Sequence, residues 1–332
     1  MQLFKSGVFH PSIDPAHRRP DWAVIIAFIA LHVGCLAAPF TFTWSSLFLA
    51  LGLIWLCAGI GITLCYHRLL THRSFHTPKW FEYVLTVIGT LNWQGGPIKW
   101  VGVHRLHHRD SDLPGDPHSP NNGFNWAHIG WMLYKDHNDF KPREAAKDLM
   151  RDKVTKWLDD YFFLPQFALV AILYGIGYSI DRAPFGLGFS FVIWGVCVRT
   201  VVVYHGTWLV NSASHIWGYR NFETTDQSRN NWWVAVLSFG EGWHNNHHAY
   251  QRSAAHGLRW WELDMTYLTI RFLALFGLAT KVVVPEAEVP RSRLLRIRDR
   301  VAARATERRI RHLDPTPLSW TQRILQLLAV RS

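Results

Sequence analysis

Three short histidine clusters stand out in this chain: His67-Arg-Leu-Leu-Thr-His72, His104-Arg-Leu-His107-His108 and His244-Asn-Asn-His247-His248. A fourth piece, Asn211-Ser-Ala-Ser-His215, lies between the second and the third. Imidazole suits Fe, Zn, Cu and Ni, so the pattern predicts a metal site without choosing the metal. On a helix, residues at i, i+3 and i+4 share one face. His104, His107 and His108 therefore converge, as do His244, His247 and His248. His67 and His72 are five apart, which turns one about 140° from the other on an α-helix. They are expected to point apart, one toward each of two metals. With His215 the inventory is nine histidines. That is about what two metals with four or five ligands each require.

A ligand histidine needs an acceptor on its other ring nitrogen. Asp110, Asp112, Asp116, Asp226 and Glu241 lie close in sequence and are candidates, with a solvated loop role as the alternative for each. The remaining histidines read more plainly. His10, His17, His76, His137, His256 and His312 are expected at the surface or in loops, and His118 and His128 as structural. His32 falls in an apolar stretch on the far side from the clusters. His205 lies about one helical turn before Asn211.

These ligands follow strongly apolar stretches, and those stretches must position them. Between Asp21 and Pro39 the one strongly polar side chain is His32, and Trp44 to Cys65 carries no charge at all. Tyr161 to Ile180 and Phe185 to Val210 are similar apart from Arg199. Each is close to the ~20 residues that cross a hydrocarbon core. The expectation is an all-α integral membrane protein with four transmembrane helices, at about 22–39, 44–65, 161–180 and 185–210. A soluble protein would instead have to bury four helices that are apolar all round. The first stretch lacks a small-residue cleavage site and reads as a retained anchor. Trp80 to Pro97, broken by polar residues and Gly95-Gly96-Pro97, reads as an interfacial helix, and Trp232 to Phe239 as another.

The loop at 40–43 is uncharged, and the one between the third and fourth spans holds only Asp181 and Arg182. Lys and Arg concentrate at the N-terminus, in 66–160 and after Asn211. The positive-inside rule then places both termini and every histidine cluster in the cytoplasm, in a bacterial inner membrane. Organisation follows: a cytoplasmic segment 1–21, a membrane domain 22–285 with a cap from 66–160 and 211–285, and a basic tail 286–332. The net charge of +11 suits anionic headgroups and an acidic electron donor; because the charges flank spans, nucleic acid is not the expected partner. Arg291 to Arg311 reads equally as a basic surface helix or a solvated terminus. The four cysteines lie in apolar spans without metal-finger spacing and read as small core residues.

In order, HxxxxH, HxxHH, NSxxH and HxxHH resemble the membrane fatty acyl desaturases of the Δ9 type. The likeness runs from about Trp44 to Pro285 and includes Gly240-Glu241-Gly242-Trp243-His244. It implies a helical cap that holds a di-iron site (two Fe, cycling between Fe2+ and Fe3+) against the spans. In the family pattern one iron takes His67, His108, His215, His244 and His248. The other takes His72, His104, His107 and His247, with Asn211 acting through a water. No catalytic residue beyond the ligands is implied. A bent acyl tunnel is implied at Gln94, Trp100 and Thr207, next to Trp208, with Trp55 at its floor.

Animal acyl-CoA desaturases carry Asn at the position of Gly95 and Arg-Asp where this chain has Gly102-Val103. Of the CoA contacts that can be placed, only Lys135 stays basic. The wording around Gln94 is closer to cyanobacterial and plastid acyl-lipid enzymes. The implied reaction places a cis double bond, at Δ9, in the saturated chain of a membrane lipid, with O2 and two electrons. No haem-binding His-Pro-Gly-Gly and no Gly-x-Gly-x-x-Gly occurs, so a ferredoxin or cytochrome b5-like donor is expected. The alternatives are an acyl-CoA Δ9 desaturase, a sphingolipid desaturase and a membrane di-iron hydroxylase or ketolase. A metal transporter would need polar residues within the spans.

Overall fold

A computed structural model describes residues 18–135 and 141–285. The basic tail at 286–332, most of the N-terminal segment, and His10, His17, His137 and His312 lie outside the described residues. Those described are mostly helical, and their only β pairings are isolated bridges such as His76 with Thr280.

Helix α1 spans Trp22–Cys35, begun by Asp21, whose carboxylate accepts from the Val24 amide. Helix α2, Trp44–Thr71, opens on a reciprocal cap in which the Thr43 and Ser46 side chains each accept from the other's backbone N–H. Its second half, Trp55–Thr71, is π-helical. Helix α3 is Lys79–Thr90 and α4 is Pro97–Asp110. After several short turns come α5 (Lys153–Asp160), α6 (Leu164–Asp181) and α7 (Leu187–Ile216). The last three are α8 (Trp232–Leu237), α9 (His244–Ala249) and α10 (Met265–Leu275).

Helices α2, α6 and α7, of 28, 18 and 30 residues, are long and apolar enough to cross a membrane. Helix α1 is apolar but has 14 residues, about 21 Å of helix, which is shorter than a ~30 Å hydrocarbon core. Three spans rather than four therefore meet the length requirement among the described residues. Trp80 to Pro97 resolves into α3 and the turn before α4, and Trp232 to Phe239 into α8.

Close backbone contacts set the packing around the histidines. A Cβ at Gly61 of α2 would meet the Gly89 Cα of α3 at 2.9 Å, so the two helices touch backbone to backbone. A Cβ at Gly102 of α4 would collide with the Pro142 carbonyl. The apolar core around α2, with Leu64, Leu70, Leu85, Ile98 and Ile270 all within 1% of full burial, holds the ends of α2 and α4 together. Arg199, the charge inside α7, is fully buried. It donates to the carbonyls of Gly195 at 3.0 Å and Leu91 at 2.5 Å. Leu91 caps the C-terminus of α3, the end at which helix dipoles favour a cation.

Candidate metal centre

The histidines come from four helix ends. His67 lies in the last turns of α2 and His72 just past it; His104, His107 and His108 lie on α4, and His215 at the end of α7. His244, His247 and His248 lie on α9, which has only six residues and is too short to hold itself. Its two intervening asparagines hold it in place. Asn245 Oδ1 accepts from the amides of Asn221 and Phe222, both at 2.8 Å. Asn246 donates to the His256 carbonyl and to Glu262 Oε2, both at 2.8 Å. Asparagine is a poor interior helix former, and that misplaced pair in the sequence was the available signal for this role.

Two groups of ring nitrogens gather, each with its members within 4.8 Å of one another. The first contains His67, His72, His104, His108 and His247; the second contains His107, His215, His244 and His248. All nine histidines expected from the spacing are brought together. The expected divergence of His67 and His72 is not found: their ring centroids are 4.7 Å apart. The cause is the π-helix. The His72 amide donates to the His67 carbonyl at 3.1 Å, and an i→i+5 bond stacks the fifth residue above the first. The division implied by the family likeness also changes, because His67 and His108 join the first group and His107 the second. Helical phase explains this. In each HxxHH the i,i+4 pair stays together, His104 with His108 and His244 with His248, while the histidine at i+3 turns toward the other group.

Carboxylates fix the rings. His107 Nδ1–H donates to Asp116 Oδ2 at 3.0 Å, His248 to Asp226 Oδ2 at 2.6 Å and His215 to Asp112 Oδ2 at 3.2 Å. His67 Nδ1 stands 2.7 Å from Glu241 Oε2. Four of the five acidic candidates thus serve histidines. Asp110 instead pairs with exposed Arg109. With the proton held on Nδ1, each Nε2 carries a lone pair aimed inward. His67 Nε2 then faces His247 Nε2 at 3.1 Å, and His215 Nε2 faces His244 Nε2 at 3.0 Å. The buried Nε2 atoms of His72, His107 and His248 have no hydrogen-bond partner. Converging lone pairs repel one another, and a cation between them removes that repulsion, so the residues fit a metal in each group.

The electrostatics agree. Burial, followed by the mutual repulsion of neighbouring rings, holds His72, His104, His108, His244 and His247 well below the usual imidazole range. His248 is lowered to about 4, burial outweighing Asp226. Burial lowers His107 too, but the Asp116 carboxylate outweighs it and the net shift is upward. Neutral imidazoles are the form that ligates metal.

Other residues were not legible as part of the site. His256, expected at the surface or in a loop, lies outside the helices but is fully buried, with Nδ1 3.0 Å from Glu241 Oε2. Arg68 is also fully buried and binds Glu241 Oε1 through Nε at 3.2 Å and Nη2 at 3.0 Å, and Asp264 through Nη1 at 2.9 Å. His118 packs beside His107 and Asp116. His32, His205 and His128 form a separate chain, with nitrogen separations of 3.3 and 3.0 Å. His76 is exposed, as expected.

An apolar cavity of about 390 Å³ opens beside the centre, lined by Gln94, Trp100, His104, Thr207, Trp208 and Asn211 among others. A second, of about 50 Å³, is lined by His67, His104 and His244 and shares Trp100, His104, Thr207 and Asn211 with the first. At the junction Trp100 Nε1 donates to Gln94 Oε1 at 3.1 Å, and Gln94 Nε2 donates to Thr207 Oγ1 at 3.0 Å. Trp55 lines neither cavity and is 45% exposed. Ile54, Ala58 and Ile62 of α2 line the smaller cavity instead.

Residues 42–276 match the family model described as fatty acid desaturase. The chain is 52% identical to an sn-1 stearoyl-lipid 9-desaturase of Anabaena variabilis, an alignment covering 79% of this chain and 93% of that protein. It is 47% identical to an sn-2 palmitoyl-lipid 9-desaturase of Nostoc sp., over 79% of this chain and 90% of the relative. An acyl-CoA 5-desaturase of Anemone leveillei is 44% identical over 79% of each chain.

Proposed function

The chain belongs to the fatty acid desaturase family and is an oxidoreductase of that family, and from that premise we propose that it inserts a cis double bond at C9 of a saturated acyl chain esterified in a membrane lipid. The observation that carries this is the pairing of two inward-facing histidine groups with two apolar cavities that share Trp100, His104, Thr207 and Asn211, the smaller of them lined by histidines of both groups. In the reaction –CH2–CH2– becomes –CH=CH–, and O2 becomes two waters with two external electrons and two protons. Bound iron, one ion per histidine group, supplies the oxidising chemistry; Asn211, which lines both cavities, takes part in holding it through a water. The protein's own work is to bind and bend the chain and exclude water.

The Gln94–Trp100–Thr207 hydrogen bonds hold a fixed corner at the junction of the cavities. A chain turned at that corner presents one pair of methylenes to the centre, and the turn favours cis geometry. Trp208, 1% exposed, gives the larger cavity a rigid wall. Domain limits follow the same reading, with 22–285 as the catalytic unit, α1 completing a four-helix stalk, and a cap on the cytoplasmic face of a bacterial inner membrane. A ferredoxin or cytochrome b5-like protein supplies the electrons to that basic face.

Two observations favour a lipid over a CoA ester. The relatives with the higher identities are named for lipid-linked substrates. At Gly102, where acyl-CoA enzymes carry Arg, a side chain would collide with the Pro142 backbone. The test is expression in a host lacking the activity, with new double bonds located by mass spectrometry in separated lipid classes and acyl-CoA pools. Product is expected first in lipid at C9, and His247→Ala is expected to abolish it while the protein still inserts. Product first in CoA esters would refute the lipid reading; full activity of His247→Ala would refute the metal assignment.

A further inference from the structure

Among the residues lining the larger cavity, one carries a permanent charge: Lys99. Its position is unusual on local grounds. It sits in the first turn of α4, where the helix dipole disfavours a cation. The backbone amides of Ile98 and Lys99 are capped by Asp159 Oδ1, at 2.9 and 3.0 Å. The second Asp159 oxygen is taken by Arg143 at 2.5 Å. The Lys99 ammonium itself makes no hydrogen bond or ion pair with any described residue. Burial lowers its affinity for a proton, partly offset by Asp21 and Asp159. A half-buried cation with no partner, in an otherwise apolar cavity, is costly unless something else supplies an acceptor.

Its distance from the centre is informative. Lys99 precedes His104 by five residues on one helix, about 7.5 Å of rise. Its side chain leans toward the helix N-terminus, away from His104, and the four-carbon stem adds up to roughly 5 Å more. The ammonium therefore reaches about 8–13 Å from the level of His104. Eight carbon–carbon bonds, from C1 to C9 of an extended chain, cover about 10 Å. The range brackets that length, so an acceptor at C1 held by the ammonium would bring C9 or a near neighbour to the level of the histidines.

Resting on the desaturase reading above, we propose that Lys99 is a positioning residue that donates to the carbonyl oxygen at C1 of the esterified acyl chain and so registers C9 against the histidine groups. Gln94, Trp100 and Thr207 set where the chain bends; Lys99 sets which carbon arrives at the bend. No proton is transferred and no covalent bond forms.

The test compares wild type with Lys99→Met and Lys99→Arg, each checked for folding by size-exclusion profile and thermal unfolding. The readout is the position of the double bond, together with kcat/KM for a stearoyl glycerolipid. Lys99→Met is expected to spread the product over positions neighbouring C9 and to lower kcat/KM roughly tenfold; Lys99→Arg is expected to retain a single position. A folded Lys99→Met enzyme with a single product at C9 and unchanged kcat/KM would overturn the proposal. A binding measurement on the metal-free protein, with a fluorescent stearoyl glycerolipid, separates this from the desaturase reading. Binding several-fold weaker in Lys99→Met, and no weaker in Lys99→Gln than in wild type by more than half that factor, supports a carbonyl contact. Equal binding in all forms refutes it. If the wild type made no double bond, the desaturase reading would fall, and this binding series would still decide the role of Lys99.

Discussion

Substituting Glu241 by Gln separates the two histidine groups. Glu241 Oε2 lies 2.7 Å from His67 Nδ1 and 3.0 Å from His256 Nδ1, while Oε1 accepts two bonds from Arg68. Burial alone would raise its pKa, yet His67, Arg68 and His256 hold it well below the usual carboxylate range. An amide keeps the shape but loses the charge that fixes the proton on His67 Nδ1. Loss of such an outer partner costs roughly ten- to a hundredfold in metal affinity, or about 1.4–2.8 kcal/mol. Breaking a buried ion pair costs about 3–5 kcal/mol. Here Arg68 keeps Asp264 and still meets the amide oxygen, so the stability loss should fall near 2–3 kcal/mol. His67 belongs to the first group only, whereas Asp116 serves His107 in the second. Purified variants dialysed against graded chelator, with metal counted by elemental analysis, should therefore diverge. Glu241→Gln should release one metal per chain early and retain the other, and Asp116→Asn should do the same for the opposite site. Parallel loss of both metals in both variants would refute the two-group arrangement.

Acid should destabilise the metal-free protein. His248 has a folded pKa of about 4 against about 6.5 unfolded, so the unfolded chain binds the extra proton. Its contribution is complete above pH ~6.5 and is lost as pH falls toward 4. His72, His104, His108, His244 and His247 shift the same way, and His107 opposes them. Thermal unfolding in detergent at several pH values checks this, and a Tm flat from pH 7.5 to 5 would contradict it. Ala58→Phe, which fills the 50 Å³ cavity, should shift the preferred chain to shorter lengths while keeping C9. Gas chromatography of products from mixed substrates reads this out, and an unchanged length profile would remove the small cavity from the substrate path.

Much of the site was legible because its determinants are local. HxxHH keeps its i,i+4 imidazoles together and turns the i+3 imidazole to a neighbouring direction on the same helix, and apolar runs of about 20 residues announce spans by composition. Candidate acids could be named from proximity, and Asp112, Asp116, Asp226 and Glu241 do serve histidines. Asp110 does not, because the end of α4 turns it to the exposed Arg109. His256 and Arg68 gave no signal. Their roles rest on contacts with Glu241 that form only when distant segments close together.

The chain's sequence by itself determined which histidines are candidate ligands and which helices carry them, since these depend on spacing within single segments. Tertiary structure decided how the ligands are shared. A π-helix, whose i→i+5 bonding is not written in residue type, brought His67 and His72 together where α-helical phase would part them. Packing of α4 against α2 and α9 then chose the partners of each ring. The same packing made the cavity wall, excluded a side chain at Gly102 and left the Lys99 ammonium without a partner among the described residues. Those outcomes depend on distances between segments far apart in the chain, and only the folded backbone sets them.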